Sequence, residues 1–228
     1  MNAKEIIKKL KTYKNDKNIA GMARFGITGK NVLGGPNIPT LRKMAKEIKK
    51  ESASGQSGDA HQIALDLWQS GIHEAKILAS MIDDPKKVTA KQMDDWIKDY
   101  DSWDVCDQVS MNLFDNTDIA FKKAMEWTKR KPEFEKRAGF ALMAALANHD
   151  NKNDHDAELK RFLPIIIREA CDERNYVRKA VNWALRQIGK RNQILKKEAI
   201  KTAEEILKID NKTAQWIAKD ALRELKSK

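Results

Sequence analysis

The stretch PEFEKRAGFALMAALAN, residues 132–148, decides the fold. Pro132 suits the head of a helix, where its missing N–H costs nothing. The Ala/Leu-rich run behind it reads as a helix over 133–148 with no alternation of the kind a strand needs. Working outward, the same reading gives helices over roughly 3–13, 39–50, 60–70, 72–83, 89–99, 102–115, 117–130, 156–171, 174–190, 195–207 and 212–226. Pro39 before Leu41 and Thr89 before Met93 are further start signals. Gly34-Gly35-Pro36-Asn37, Ser52 to Gly58 and Asp150 to Asp156 read as loops.

Pairs of helices suggest a repeat. The Ala/Leu-rich second helices align on Leu78, Leu113, Leu142, Leu185 and Leu222, with separations of 35, 29, 43 and 37 residues. That scatter around a helical-pair length predicts an all-α fold of HEAT-like, armadillo-type repeats stacked in a curved superhelix with a concave binding face. The chain is expected to be a single repeat domain over residues 1–228, since the Ser/Gly stretch near residue 55 is too short a connector to divide it.

The 228 residues carry a net charge of +11, distributed unevenly. Residues 174–228 hold 15 Lys and Arg against 6 Asp and Glu, which leaves only +2 for the first 173. A basic end on a helical protein points to a polyanion, usually nucleic acid. The competing reading is a set of solvated helix faces. No run of 18 apolar residues occurs and MNAKEIIKKLKTYK lacks the apolar centre of a signal peptide, so a cytoplasmic protein with no membrane partner is expected, nucleoid-associated if prokaryotic. Cys106 and Cys171 have neither CxxC spacing nor a secretory setting, and both are expected to be small buried residues.

The segment Asp101-Ser102-Trp103-Asp104-Val105-Cys106-Asp107-Gln108 sets an aromatic and a carboxylate four residues apart, on one helix face. Burying that pair would oblige the carboxylate to find a partner, so a surface that meets a cation suits it better. Relative to the anchor leucines, Asp107 lies at minus 6, Arg137 at minus 5, Trp183 at minus 2 and Trp216 at minus 6. At about 100° per residue these offsets fall within a sector of roughly 100°, predicting one shared surface that also holds His73 and Lys76. Such an aromatic and basic surface with one carboxylate fits a nucleic-acid backbone and an electron-poor group.

Several segments in order resemble the DNA alkylation repair family of HEAT-like glycosylases, the AlkD-like enzymes, over nearly the whole chain. They are Arg24-Phe25-Gly26-Ile27 with Ile38-Pro39-Thr40-Leu41-Arg42, Leu67-Trp68 with His73-Glu74-Ala75, Ser102 to Asp107, Lys136-Arg137-Ala138-Gly139, and Ala180-Val181-Asn182-Trp183-Ala184-Leu185-Arg186. The resemblance implies excision of alkylated purines such as 3-methyladenine and 7-methylguanine from duplex DNA, by a monofunctional enzyme that acts as a monomer. By the family pattern Trp103, Asp107 and Trp183 form the catalytic cleft and Arg137 holds the backbone near the lesion. Lys76, Lys179, Arg186, Lys219 and Arg223 complete the expected DNA-binding set. The loops at Gly29 to Pro36 and 52 to 58 depart from the family pattern.

The chemistry is consistent with that implication. An N3- or N7-alkylated purine is cationic and leaves readily, and heterolysis places positive charge on the sugar. Asp107 could stabilise that charge and orient a water. Indole faces attract the same cation at roughly 0.5 to 2 kcal/mol each.

Plainer readings stand beside these. Trp68, Trp96 and Trp127 are expected in the core. Asp107 alone could pair with a surface lysine, and Arg137 alone could hold a carbonyl or carboxylate. Asp104 is expected to face away from Asp107 in a capping or structural role. His73-Glu74 begins like a zincin helix, but residue 77 is Ile where a second His is required. Gly26 to Asn31 lacks the Walker spacing of a phosphate loop, His61, His73, His149 and His155 show no ligand spacing, and no metal or cofactor is implied. The runner-up to a glycosylase is a non-catalytic HEAT-like protein that binds damaged or branched DNA, and a protein-interaction scaffold is disfavoured by the charge and the aromatics.

Overall fold

The computed structural model describes residues 1–29, 31–149 and 155–227, and among these all regular structure is helical. They form two compact units, Met1–Thr117 and Asp118–Lys228. None of the helices is long and apolar enough to cross a membrane.

The first unit contains α1 (Ala3–Lys11), α2 (Asp16–Arg24), α3 (Ile38–Ala53), α4 (Ala60–Gln69), α5 (His73–Ile82), α6 (Ala90–Lys98), α7 (Trp103–Asn112) and a 3₁₀ turn at Phe114–Asn116. Short polar residues start α1, α2, α3, α4 and α6 by accepting otherwise orphaned N–H groups of the first turn. Asn2 and Glu5 make a reciprocal capping box on α1, Asn37 caps α3 ahead of Pro39, and Thr89 caps α6 as expected. Helix α5 is buried along its entire length, with α3, α4 and α7 packed on it. Trp68 and Trp96 stack with centroids 3.9 Å apart and planes 4° from parallel. The Trp68 indole also donates to Asp99 Oδ2 at 2.9 Å.

The second unit contains α8 (Ala120–Trp127), α9 (Glu133–His149), α10 (Asp156–Lys160), α11 (Leu163–Glu169), α12 (Asn175–Arg191), α13 (Gln193–Leu207) and α14 (Lys212–Lys226). Its core includes Trp127, Phe140 and Phe162, all fully buried, each side chain of that class contributing about 1.5–3 kcal/mol on transfer from water. Helices α8 and α9 approach closely at Gly139, where a Cβ would lie 2.8 Å from the Ala124 carbonyl.

Three departures from the sequence expectations have physical causes. Helix α2 is not among the helices read from the sequence, because its apolar side is short, with Ile19 and Met22 half-buried and no residue buried outright. The expected helix 156–171 is two helices, since Pro164 cannot donate to the Lys160 carbonyl and the chain turns at Arg161 and Phe162. Cys106 is buried as expected, whereas Cys171 is exposed. The loop expected at 150–156 falls largely outside the described residues.

The repeat is also clearer in one place than the leucine anchors suggest. Helices α12 and α14 match at a shift of 33 residues: Ala180, Val181, Ala184, Leu185 and Ile188 are buried on one, and Thr213, Ala214, Ile217, Ala218 and Ala221 on the other. Leu185 therefore corresponds to Ala218 and not to the half-exposed Leu222.

Candidate DNA-binding and catalytic residues

Helix α7 buries Val105, Cys106, Val109 and Ser110, which leaves Trp103, Asp104, Asp107, Gln108, Met111 and Asn112 half-buried on the opposite side. Asp104 and Asp107 thus share the accessible side of the helix. The expectation that they face apart is corrected by the helix period, which separates positions three apart by only about 60°. The Trp103 indole N–H donates to the Phe25 carbonyl at 2.9 Å, fixing the ring against the end of α2. Phe25 itself is 75% exposed. Burial, with the charges of Cys106 and Asp107, pushes the phenol of Tyr100 well above its ordinary pKa.

Trp103 and Asp104 line a cavity of about 990 Å³ together with Tyr13, Phe25, His73 and Glu74. Within it His73 Nε2 lies 2.8 Å from Asp104 Oδ2. Burial alone would lower the imidazole's pKa, but the hydrogen bond and charge of Asp104, with Glu74 and Asp101, outweigh it and hold His73 above its usual value. For Asp104, burial works to raise the pKa, and the His73 hydrogen bond and charge overcome it. The neighbouring Glu74 carboxylate accepts from the N–H groups of Leu33 at 3.0 Å and Gly34 at 2.8 Å. This fixes the loop that departs from the family pattern. Gly34 has a φ of +74°, and any Cβ there would meet the Asn15 carbonyl at 2.5 Å. His73-Glu74, half a zincin motif in the sequence, is therefore a pairing residue followed by a loop clamp.

Of the four residues expected on one surface, Asp107 lies in the first unit and Arg137, Trp183 and Trp216 in the second. Trp183 is half-buried on α12 and Trp216 is 39% exposed on α14. The 33-residue shift makes them equivalent and pairs Lys179 with Lys212, Arg186 with Lys219, and Lys190 with Arg223. Both helices thus show a Lys, Trp, basic, basic stripe at i, i+4, i+7 and i+11, which lies along one face. Lys179, Lys212 and Lys219 are exposed or half-exposed. Arg186 reaches Glu224 at 2.5 Å, Arg223 pairs with Asp220, and the Arg178 guanidinium sits 5.1 Å from the Trp216 ring centre.

Two expected DNA contacts are placed inside. Arg137 is 5% exposed and its guanidinium donates to the Tyr176 carbonyl at 2.7 Å. Lys76 is 7% exposed, with its ammonium donating to the Asp99 carbonyl at 2.8 Å and lying 5.4 Å from the Trp68 ring centre. Cations held in this way brace the repeats and are not presented to a phosphate.

Comparison with known proteins bears on the fold and the family. A solved structure of "a new family of proteins related to the HEAT-like repeat DNA glycosylases with affinity for branched DNA structures" is similar in fold, with a TM-score of 0.76 and 20% identity over 98% of this chain and 95% of that one. No curated protein matches the chain. The family model described as DNA alkylation repair enzyme matches residues 6–225. With its all-α, HEAT-like architecture, this chain belongs to the DNA alkylation repair enzyme family.

Proposed function

We propose that the protein is a monofunctional DNA glycosylase that hydrolyses the N-glycosidic bond of alkylated purines, 3-methyladenine and 7-methylguanine among them, in duplex DNA. The observation that carries this reading is the accessible side of α7, where Trp103 and Asp107 stand one turn apart above a buried apolar face. In the reaction the C1′–N bond breaks and its electron pair leaves with the base, neutralising the base's positive charge. Asp107 stabilises the cationic sugar and accepts a hydrogen bond from the incoming water. The water oxygen bonds to C1′ and its proton passes to solvent through the carboxylate. Trp103 offers its indole face to the cationic base, and Lys179, Lys219, Arg186 and Arg223 supply contacts to phosphates.

The deciding experiment incubates the purified protein with methylated duplex DNA and identifies the bases released. Appearance of free 3-methyladenine or 7-methylguanine, with abasic sites in the DNA, is the expected result. A second reading has a specific observation in its favour, the affinity for branched DNA of the structurally similar family. Tight binding to a branched or methylated duplex with no base released supports that non-catalytic reading in place of the first.

A further inference from the structure

Helix α3 carries a second cationic surface that the uneven charge of the chain conceals. Arg42, Lys46 and Lys49 recur at i, i+4 and i+7, while Leu41, Met44, Ala45 and Ile48 turn inward. The three cations edge a groove of about 340 Å³ whose remaining wall is Ala45, Met81 of α5 and Asn112 of α7. Among the described residues none of the three makes an ion pair. The contrast with other surface lysines of the same unit is direct, since Lys87 pairs with Asp59, and Lys91 and Lys98 with Asp95. Glu47, the one acid between Arg42 and Lys49, is engaged with Lys9 at 3.8 Å. The Asn112 amide donates to Gln108 Oε1 at 3.1 Å, which sets the orientation of its side chain at the rim.

We infer that this groove binds the sugar-phosphate backbone of DNA, a contact in the first unit separate from the stripes on α12 and α14; the inference rests on the DNA reading proposed above. Three unpaired cations in a concavity reinforce one another's potential. They span about 10 Å along the helix at 1.5 Å per residue, a length over which one DNA strand carries about three phosphates. The apolar floor of Ala45 and Met81 suits the deoxyribose between them. A single free phosphate would need its donors converging on one point, whereas these are strung along a line.

The test is fluorescence anisotropy of a labelled duplex titrated with the full chain between about 50 and 200 mM salt, the range over which phosphate contacts are most visible. The triple variant Arg42→Ala/Lys46→Ala/Lys49→Ala should flatten the dependence of log affinity on log salt by about 2 to 3, near 0.9 per lost phosphate. Lys43→Ala/Lys50→Ala removes exposed charge from the same helix outside the groove, and should change the slope by less than about one unit. None of the five positions is buried and alanine favours a helix, so circular dichroism should show both variants folded. If the parent binds and the triple variant keeps the parent slope, or loses no more per charge than the control, the groove is not a DNA contact. If the parent fails to bind at the lowest salt, the DNA reading falls and this inference with it.

Discussion

His73 Nε2 and Asp104 Oδ2 are 2.8 Å apart, and His73 Nδ1 and Asp104 Oδ1 make no hydrogen bond among the described residues. The imidazole is 4% exposed. The pair ties the first turn of α5 to the first turn of α7, and so holds the helix from which Trp103 and Asp107 project.

Its contribution to stability should depend on pH in a defined way. The His73 pKa is raised above 6.5, so its share is complete below pH 6.5 and is lost as pH climbs through the folded value. The Asp104 pKa is lowered below 3.8, so its share is complete above pH 3.8 and is lost as pH falls through the folded value. The melting-temperature gap between parent and Asp104→Asn should therefore be widest between pH 3.8 and 6.5 and narrow on either side. At its widest it should correspond to about 2 kcal/mol, the scale of a charge-assisted hydrogen bond. Parallel melting profiles for the two proteins across that range would show that the pair is not ionised.

Gly139 offers a test of the close helix approach in the second unit. A Cβ there would meet the backbone of Ala124 and Thr128 at 2.8 Å, and backbone can yield only by separating α8 from α9. Gly139→Ala should cost about 1–3 kcal/mol, as overpacking does. At Gly21 on α2 a Cβ would meet nothing within 4 Å, and Gly21→Ala should be neutral or stabilise by up to about 1 kcal/mol. Chemical denaturation of the two variants side by side distinguishes them, and equal effects would remove the steric account.

The helices that are legible in the sequence are those with a long apolar run, such as α9, buried from Arg137 through Ala147, or with a periodic apolar face, such as α12. Helix α2 is not legible, because its packing surface is made by half-exposed Ile19 and Met22 and no residue is buried outright. The candidate site divides in the same way. That Trp103 and Asp107 share one accessible helix side follows from helical spacing. The depth of Arg137 and Lys76 does not, since a basic residue gives no sign in sequence of whether a backbone carbonyl waits for it. The α3 groove is hidden because acidic residues elsewhere in the first 173 positions nearly cancel its charge, and net charge says nothing of which cations lack partners.

Arg137 is expected to act first on the fold. Removing its guanidinium leaves the Tyr176 carbonyl without the donor at 2.7 Å, at a cost of about 1.5–3 kcal/mol. Arg137→Ala should lower the melting temperature by several degrees, and loss of DNA affinity should track the loss of folded protein. A variant that melts like the parent yet binds DNA poorly would restore the phosphate-clamp role.

The equivalence of α12 and α14 makes a paired prediction. Lys179 and Lys219 lie on corresponding stripes and neither is buried, so Lys179→Ala and Lys219→Ala should each weaken duplex binding without regard to sequence and reduce the salt slope by about 1. The double variant should be close to additive, because separate phosphate contacts are independent. Anisotropy titrations at several salt concentrations provide the measurement, and a slope unchanged in both single variants would confine DNA contact to other surfaces.

Asp107 is the sharpest test of catalysis because its charge matters most when the sugar becomes cationic. Asp107→Asn keeps the size and hydrogen-bonding capacity of the side chain, so folding and DNA binding should survive. Single-turnover release of 7-methylguanine should slow by about 10²-fold or more, the scale for losing an aligned electrostatic stabiliser. Asp104→Asn is the informative comparison, for its carboxylate is already committed to His73. It should slow release far less at a temperature where the variant remains folded. If Asp104→Asn proves the more damaging of the two in folded protein, the working carboxylate is the one in the cavity beside Trp103, and the sugar cation must be stabilised from the His73 side of α7.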